Sequence, residues 1–470
     1  MATNTSAAIE YSFKGGFPTP ETVRKAYDDA DLNRAVQAYR FFYPTVSGAA
    51  IFKGNANAGL SENRIFGVVE SQPRHLIFTA NSDTPYGPIM LDLKDGPMVV
   101  ELPPGPLIVI AMDLNQRWVA DMGLPGPDAG KGGKHVLLPP GYEGEAPVGY
   151  FAGMSTTYRA LVGVRSLPLG GDLEGAIDRI RSVKVRPLNP SFSWEDPKWD
   201  DLTDRPQDTT PLEWEDNIQF WQELHEVIET EPAFEPYRNY YGELAALGLV
   251  KGKPFAPDAR LKRILEQAAR IGNAQMRVQA FADRRPDRVV WPDRKWEWAA
   301  LRFENGVFDA PTYADLEARE KWFYQAIGES PAMFRRSAGA GSLYWLGTRD
   351  KSGAYLDGAR TYKLTVPQPV PANLFWSVTV YDAETRSEIQ TDQGRAALRS
   401  LFELKDKAGT SDLNLYFGPE GPAGREDEWI KTRPGKGWFA YLRIYGPEAP
   451  AFDGSWKPGD FEEVKSTLRK

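Results

Sequence analysis

Two stretches near the end of the chain constrain its fold most. Residues 373–382 (Asn-Leu-Phe-Trp-Ser-Val-Thr-Val-Tyr-Asp) and 438–445 (Trp-Phe-Ala-Tyr-Leu-Arg-Ile-Tyr) both alternate in character at every second residue, which is the side-chain period of a β-strand. In the first, Leu374, Trp376, Val378 and Val380 share one face, and Phe375, Ser377, Thr379 and Tyr381 share the other. In the second, Trp438, Ala440, Leu442 and Ile444 oppose Phe439, Tyr441, Arg443 and Tyr445. Each strand therefore has a plain apolar face that needs a core. Its second face mixes aromatic rings with hydrogen-bonding groups. Two readings of that second face stand: it meets solvent or another subunit, since antiparallel sheets commonly leave one face polar, or it lines a ligand pocket.

The rest of the composition suits a strand-rich fold. Gly (43) and Pro (38) are plentiful, and aromatic residues make up 12% with 14 Trp, as expected of short strands joined by Gly/Pro turns. A chain of 470 residues has room for two or three domains. The net charge of −8 argues against nucleic acid as a partner, because phosphate binding wants a basic surface. The absence of cysteine excludes disulfides, thiolate metal sites and cysteine nucleophiles. The longest strongly apolar run, 106–112, is too short to span a bilayer, so no membrane partner is expected. Residues 1–8 carry neither a charged nor an apolar leader segment. The expected location is the cytoplasm as the chain is written, or the periplasm if its start is a processed one. Residues 465–470 read as a solvated helix end.

Along the chain, the expected class is α+β, with two β-sandwich domains of jelly-roll type, an N-terminal helix and a helical insert. Thr19 caps a helix opened by Pro20, with an apolar stripe to about residue 45. Strands are expected at 65–70, 76–80, 98–102, 106–113 and 156–164, and a helix capped by Asp172 over 172–181. Residues 211–335 read as a helical insert, with helices at 212–229, 234–249, 261–281 and 313–327, the last behind Thr312. Strands return from 336 to 470 at 362–366, 374–381, 413–417 and 438–445, with a short helix at 391–401. The domains are then 1–210, 211–335 and 336–470.

Common catalytic motifs are missing. There is no Walker loop and no G-x-S-x-G elbow, and Gly339-Ala340-Gly341 lacks the third glycine of a dinucleotide loop. The three histidines are His75, His135 and His225. His225 and Glu229 have a helical metal-ligand spacing but read as an ordinary solvated face. His135, in a glycine-rich loop, is a candidate acid or base. Asn81-Ser82-Asp83-Thr84-Pro85-Tyr86 has the composition of a turn. It also offers Asp83 as a general base, Tyr86 as a proton donor and Asn81 as a ligand contact. Asp113 and Arg117 follow a buried strand, and Arg117 either pairs with Asp113 or holds a substrate carboxylate. The loop 431–437 reads either as a hairpin entry or as an anion site built from Arg433, Lys436 and two glycines.

These segments closely resemble a bacterial family defined by paired domains of unknown function, 1254 (N-terminal) and 1214 (C-terminal). The first resemblance rests on Asn81-Ser82-Asp83-Thr84-Pro85-Tyr86, Leu91-Asp92-Leu93 and Met112-Asp113-Leu114. The second rests on residues 375–382, Leu415-Tyr416-Phe417-Gly418, Trp429-Ile430, Pro434-Gly435-Lys436-Gly437-Trp438 and Arg443-Ile444-Tyr445-Gly446-Pro447. The resemblance implies bacterial origin and two jelly-roll β-sandwiches bridged by helices; it supplies no catalytic residues. Many relatives begin with a secretion signal, and Glu428 stands where relatives often have Asn.

Three functions follow from this reading. The first is a cofactor-free hydrolase or lyase acting on a small organic molecule between the β-domains, with Asp83, Tyr86, Asp113 and His135 as catalytic candidates. Its binding candidates are Asn81, Arg117, Trp376, Tyr381, Arg433, Lys436, Arg443 and Tyr445. No metal ligand set is predicted, although oxygen-ligand divalent sites leave weak sequence signals. The second is a non-catalytic binder of a sugar or aromatic compound. The third is a homo-oligomeric structural protein that packs Tyr441, Arg443 and Tyr445 between subunits.

Overall fold

The computed structural model describes residues 11–209, 213–301, 308–339, 341–407, 409 and 411–464. The segments 1–8 and 465–470 and the middle of Gly339-Ala340-Gly341 lie outside the described residues. The fold is α+β. The chain divides into two compact units: 1–43 with 213–276, and 44–212 with 277–470.

The smaller unit is helical. Its first helical segment is the part up to residue 43 of helix Pro20–Asn57, which starts behind Thr19, whose Oγ1 accepts the Thr22 N–H at 3.3 Å. The helix runs past the predicted end near 45, continuing through Pro44. Within the smaller unit, Tyr39 packs on Phe220 of helix Gln219–Thr230 with ring centroids 4.2 Å apart. A Cβ at Gly272 would stand 2.3 Å from the Tyr39 ring, so only glycine allows this close approach. Trp221 Nε1 donates to Leu265 O at 2.9 Å. The helix expected over 234–249 is a 3-10 turn, Glu235–Tyr237, leading into Arg238–Ala246.

The larger unit holds two pairs of sheets. In the N-terminal pair, one sheet orders Tyr86–Asp92, Arg159–Ser166, Leu107–Asp113 and Trp118–Gly123. The other orders Lys184–Pro187, Met98–Leu102, Gly133–Leu138 and Tyr150–Met154. They share a core that includes Ile89, Val100, Val109, Leu137, Val162 and Val185. Strand Leu107–Asp113 is interior and mostly buried, as its unbroken apolar run predicts. Helix Leu173–Arg181 is capped by Asp172, which accepts the Gly175 N–H at 2.9 Å.

In the C-terminal pair, a five-stranded sheet orders Glu297–Trp298, Ser342–Gly347, Trp438–Pro447, Ala372–Asp382 and Ala397–Arg399. A four-stranded sheet orders Trp429–Lys431, Leu413–Gly418, Tyr362–Val366 and Glu462–Glu463. Trp376, Val378, Val380, Trp438, Leu442 and Ile444 enter the core between these sheets, on the apolar face that alternation assigns.

Three more expected elements differ. Residues 76–80 form turns rather than a strand, and their backbone bonds to distant segments, Leu76 N–H to Gln207 O and Thr79 N–H to Arg386 O. Residues 391–401 are not a helix: Gly394, at φ 66, turns the chain, and Ala397–Arg399 then pairs with Ser377–Thr379 at the sheet edge. The helix expected over 313–327 is confined to Leu316–Phe323. Its cap is Asp315, not Thr312, and accepts the Ala318 N–H at 3.1 Å.

Candidate functional site

The second face of the two C-terminal strands is buried within the chain. Every residue of Trp438–Pro447 is buried. Antiparallel register sets Tyr445 between Ser342 and Phe375, and Arg443 between Tyr344 and Ser377. This face looks across a cavity of about 400 Å³ onto the outer face of the Tyr86–Asp92 sheet. There the register places Arg165 between Tyr86 and Ile108, and Gly163 between Pro88 and Ile110; Ile110 in turn faces Asp121. All of these, apart from Phe375 and Ser377, line the cavity. Leu161, Met112, Trp322 and Met333 add apolar wall.

The polar lining is one connected cluster. Tyr445 OH accepts from Asn81 Nδ2 at 2.7 Å and from Arg165 Nη1 at 2.8 Å, which fills its two lone pairs and leaves its own proton to donate. Arg165 Nε donates to Thr84 Oγ1 at 2.8 Å, and its guanidinium lies 5.0 Å from the Tyr86 ring and 5.1 Å from the Tyr445 ring. Arg443 is only 3% exposed. It donates to Tyr381 OH and, through Nη2, to Thr79 O at 2.6 Å. Thr79 holds φ 39, a left-handed conformation that a β-branched residue keeps only when its surroundings impose it; here that conformation accompanies a carbonyl bonded to the arginine. Tyr381 OH in turn donates to Ala80 O at 2.5 Å. Two donor nitrogens stay unmatched: Arg443 Nε and Arg165 Nη2 have no protein acceptor.

Titratable groups surround this cluster. Asp121, 8% exposed, lines the cavity, and its Oδ2 accepts the Ala332 N–H at 3.2 Å. Burial pushes its carboxyl up to about 6, against the pull of the Ala332 and Ser330 bonds and the Arg335 charge. Behind the arginines lie Asp83 and Glu388, each 1% exposed. Asp83 accepts from Ser377 Oγ at 2.6 Å. Burial raises its carboxyl, opposed by Ser377 and by the charges of Arg399, Arg443 and Arg165. Burial likewise pushes Glu388 up to about 7, opposed by Ser82, Arg399 and Arg443 and reinforced by the Asp83 charge.

The residues singled out from sequence divide into groups. Asn81, Tyr86, Arg443 and Tyr445 line the cavity, and Tyr381 braces Arg443 from behind. Asp83 reaches the same network through Ser377 but is not in the lining. Asp113 and Arg117 belong to a separate cluster. There Asp113 accepts from Thr156 Oγ1 and from the Arg117 N–H, and Arg117 lies 3.7 Å from Asp309. Burial pushes the neighbouring Glu329 up to about 8 against the Arg117 and Arg319 charges. His135 is not on an open loop: it sits in strand Gly133–Leu138, 1% exposed, 3.2 Å from Asp128, and burial lowers its pKa despite Asp128. His75 is also buried; Nδ1 accepts the Gln72 N–H at 3.1 Å and Nε2 lies 3.1 Å from Thr203 O. His225 Nε2 lies 3.5 Å from Glu229 and 2.9 Å from Lys253 O. Trp376 is a core residue. Arg433 is exposed and Lys436 bonds Glu384, so the 431–437 loop stands apart from the lining. Among the described residues, no three His, Asp or Glu side chains gather as metal ligands would, and no helix is long and apolar enough to cross a membrane.

Arg165, Asp121 and Tyr344 were not singled out from sequence. Alternation through 159–166 puts Arg165 on the face of Leu161, and Ser342-Leu343-Tyr344-Trp345 alternates the same way. The signal was therefore present for two of the three.

Residues 66–187 match the model described as "Protein of unknown function (DUF1254)", and residues 341–449 match "Protein of unknown function (DUF1214)". No curated protein matches the chain. Among solved structures, the VPA0106 protein from Vibrio parahaemolyticus is similar over 93% of this chain and 100% of its own, at 19% identity and a TM-score of 0.58; the two share a fold. An uncharacterized protein from Burkholderia cenocepacia aligns over 94% of this chain and 96% of its own, at 12% identity and a TM-score of 0.39.

Proposed function

We propose, for a chain that carries domains 1254 and 1214 in that order, that the cavity between their sheets is a small-molecule site supporting hydrolase or lyase chemistry without a cofactor. The observation that carries this reading is the cavity itself: about 400 Å³, largely apolar, with Arg165, Arg443, Tyr445 and Asp121 converging on it. Ligand sites are built this way, with apolar walls and a few fixed polar groups. Asp121 supplies the acid–base function. With a pKa of about 6, it is mostly ionised at neutral pH and still basic enough to take a proton. The oligomeric reading loses the surface it rested on, because the Tyr441, Arg443 and Tyr445 face is covered by the same chain.

Gly163 provides the test. A Cβ there would meet only Ile110, at 3.5 Å, in ordinary contact, so a side chain can start at this lining position without a clash, and Gly163→Phe is the variant that adds bulk to the cavity. A thermal-shift panel of organic acids, sugars and aromatics should give hits with wild type that disappear in folded Gly163→Phe. Hits that persist in the variant would place binding elsewhere and refute the reading. A non-catalytic binder is the second reading, favoured by the hydrogen bonds that already hold the polar lining rigid. Chromatography of a bound hit separates the two: conversion that Asp121→Asn abolishes marks an enzyme, and binding without conversion marks a binder.

A further inference from the structure

The two arginines of the cavity carry an inference about what it holds. Arg165 and Arg443 have no carboxylate within salt-bridge distance among the described residues. Asp83 and Glu388 act on Arg443 only through longer-range charge, and neither lines the cavity. A guanidinium stays protonated in proteins, so the lining presents two fixed positive charges. Each also keeps one nitrogen without an acceptor, the Nε–H of Arg443 and the Nη2 amino group of Arg165. Leaving a buried charged donor unmatched is costly, whereas an oxyanion shared by the two would match both through charge-assisted bonds. Tyr445 OH, which already accepts two bonds, has its proton left for the same oxyanion.

The floor beside this cluster is apolar. From Arg165 the floor runs two residues along its strand to Gly163 and then across Ile110 to Asp121, two strand spacings over, so that Arg165 and Asp121 stand about 12 Å apart. Gly163 leaves the middle of that floor open. We propose that the cavity takes an amphipathic organic monoanion, with its carboxylate or comparable oxyanion between Arg165 and Arg443 and its hydrocarbon body lying over Gly163 and Ile110 toward Asp121. This assignment rests on the small-molecule reading of the same cavity.

Three probes that share an eight-carbon chain and differ in head-group charge test it by calorimetry at neutral pH: octanoate, 1-octanol and octylammonium. Octanoate should bind at least tenfold more tightly than octanol, and octylammonium should not bind. Arg165→Gln and Arg443→Gln should each weaken octanoate about tenfold and leave octanol unchanged. Arg165→Lys, which keeps the charge, should lose less than Arg165→Gln. The wild-type comparison decides the matter even if a variant misfolds. Equal affinities for octanoate and octanol, or preference for octylammonium, would overturn the anion assignment while leaving the cavity as a ligand site. If none of the three binds, the amphipathic-anion assignment falls, and the Gly163→Phe panel decides separately whether the cavity is a small-molecule site.

Discussion

Asp121→Asn is the perturbation whose size follows most directly from the structure. The carboxyl is 8% exposed, and burial raises its pKa from 3.8 to about 6. The folded-state value therefore lies above the unfolded one, and the native protein binds this proton more tightly. Its contribution to stability is fully present below about pH 4 and is lost as pH rises through about 6. The difference amounts to about 3 kcal/mol, a large share of a stability of about 5–15 kcal/mol. Asparagine has nearly the same shape, and its amide oxygen can still accept the Ala332 N–H. Wild type should therefore be destabilised relative to Asp121→Asn by up to about 3 kcal/mol on going from about pH 4 to pH 8. Other buried carboxyls, such as Glu388 and Glu329, titrate in both proteins and cancel in the difference. Urea unfolding followed by tryptophan fluorescence at several pH values measures it. Parallel pH profiles for the two proteins would refute the assignment of a buried, proton-holding carboxyl at this position.

Two stability predictions concern groups outside this titration. Tyr445→Phe removes the oxygen that accepts from both Asn81 and Arg165, and should cost about 1–3 kcal/mol in chemical denaturation for the donors left unmatched; an unchanged midpoint would show that Tyr445 does not hold the cluster together. Lys321 is fully buried, with Nζ 2.7 Å from Glu297 and 3.3 Å from Asp283. Lys321→Met should cost about 3–5 kcal/mol because it strands buried carboxylates. A loss below about 1 kcal/mol would mean that Arg288, 3.1 Å from Glu297, suffices alone.

Reading strands from side-chain alternation succeeded where both faces of a strand have work to do. It separated Trp376, Val378 and Val380 from Ser377, Thr379 and Tyr381, and the core follows that division. Alternation assigns a face but not what covers it. Tyr441, Arg443 and Tyr445 therefore read equally well as a solvent face, an interface or a pocket wall, and only the opposing sheet decides. Asp121 escaped notice for the same reason: one acid in Trp118–Gly123 gives no local sign that Ser330 and Ala332, some 210 residues later, will pack against it. His135 misled in the opposite direction. Its glycine-rich surroundings suggested a loop, but positive φ at Gly130 and Gly132 turns the chain just before a strand. Residues 76–80 read as a strand from composition alone, but their backbone bonds are made with Gln207 and Arg386, which no local pattern encodes.

The Arg165–Tyr445 bond also has a kinetic side. Its partners are 280 residues apart in sequence. At a synthesis rate of about 5–20 residues per second, Arg165 is made some 14–56 s before Tyr445. For that interval the N-terminal sheets can close their own core, but Asn81 and Arg165 have no Tyr445 to bond and Ile108 and Ile110 have nothing to cover them. The outer face of that sheet is then a transient sticky surface on the ribosome-bound chain. The strand that completes the pocket is thus also the strand that ends the molecule's period of greatest exposure to aggregation, and truncations that remove it should be recovered with chaperones rather than as free protein.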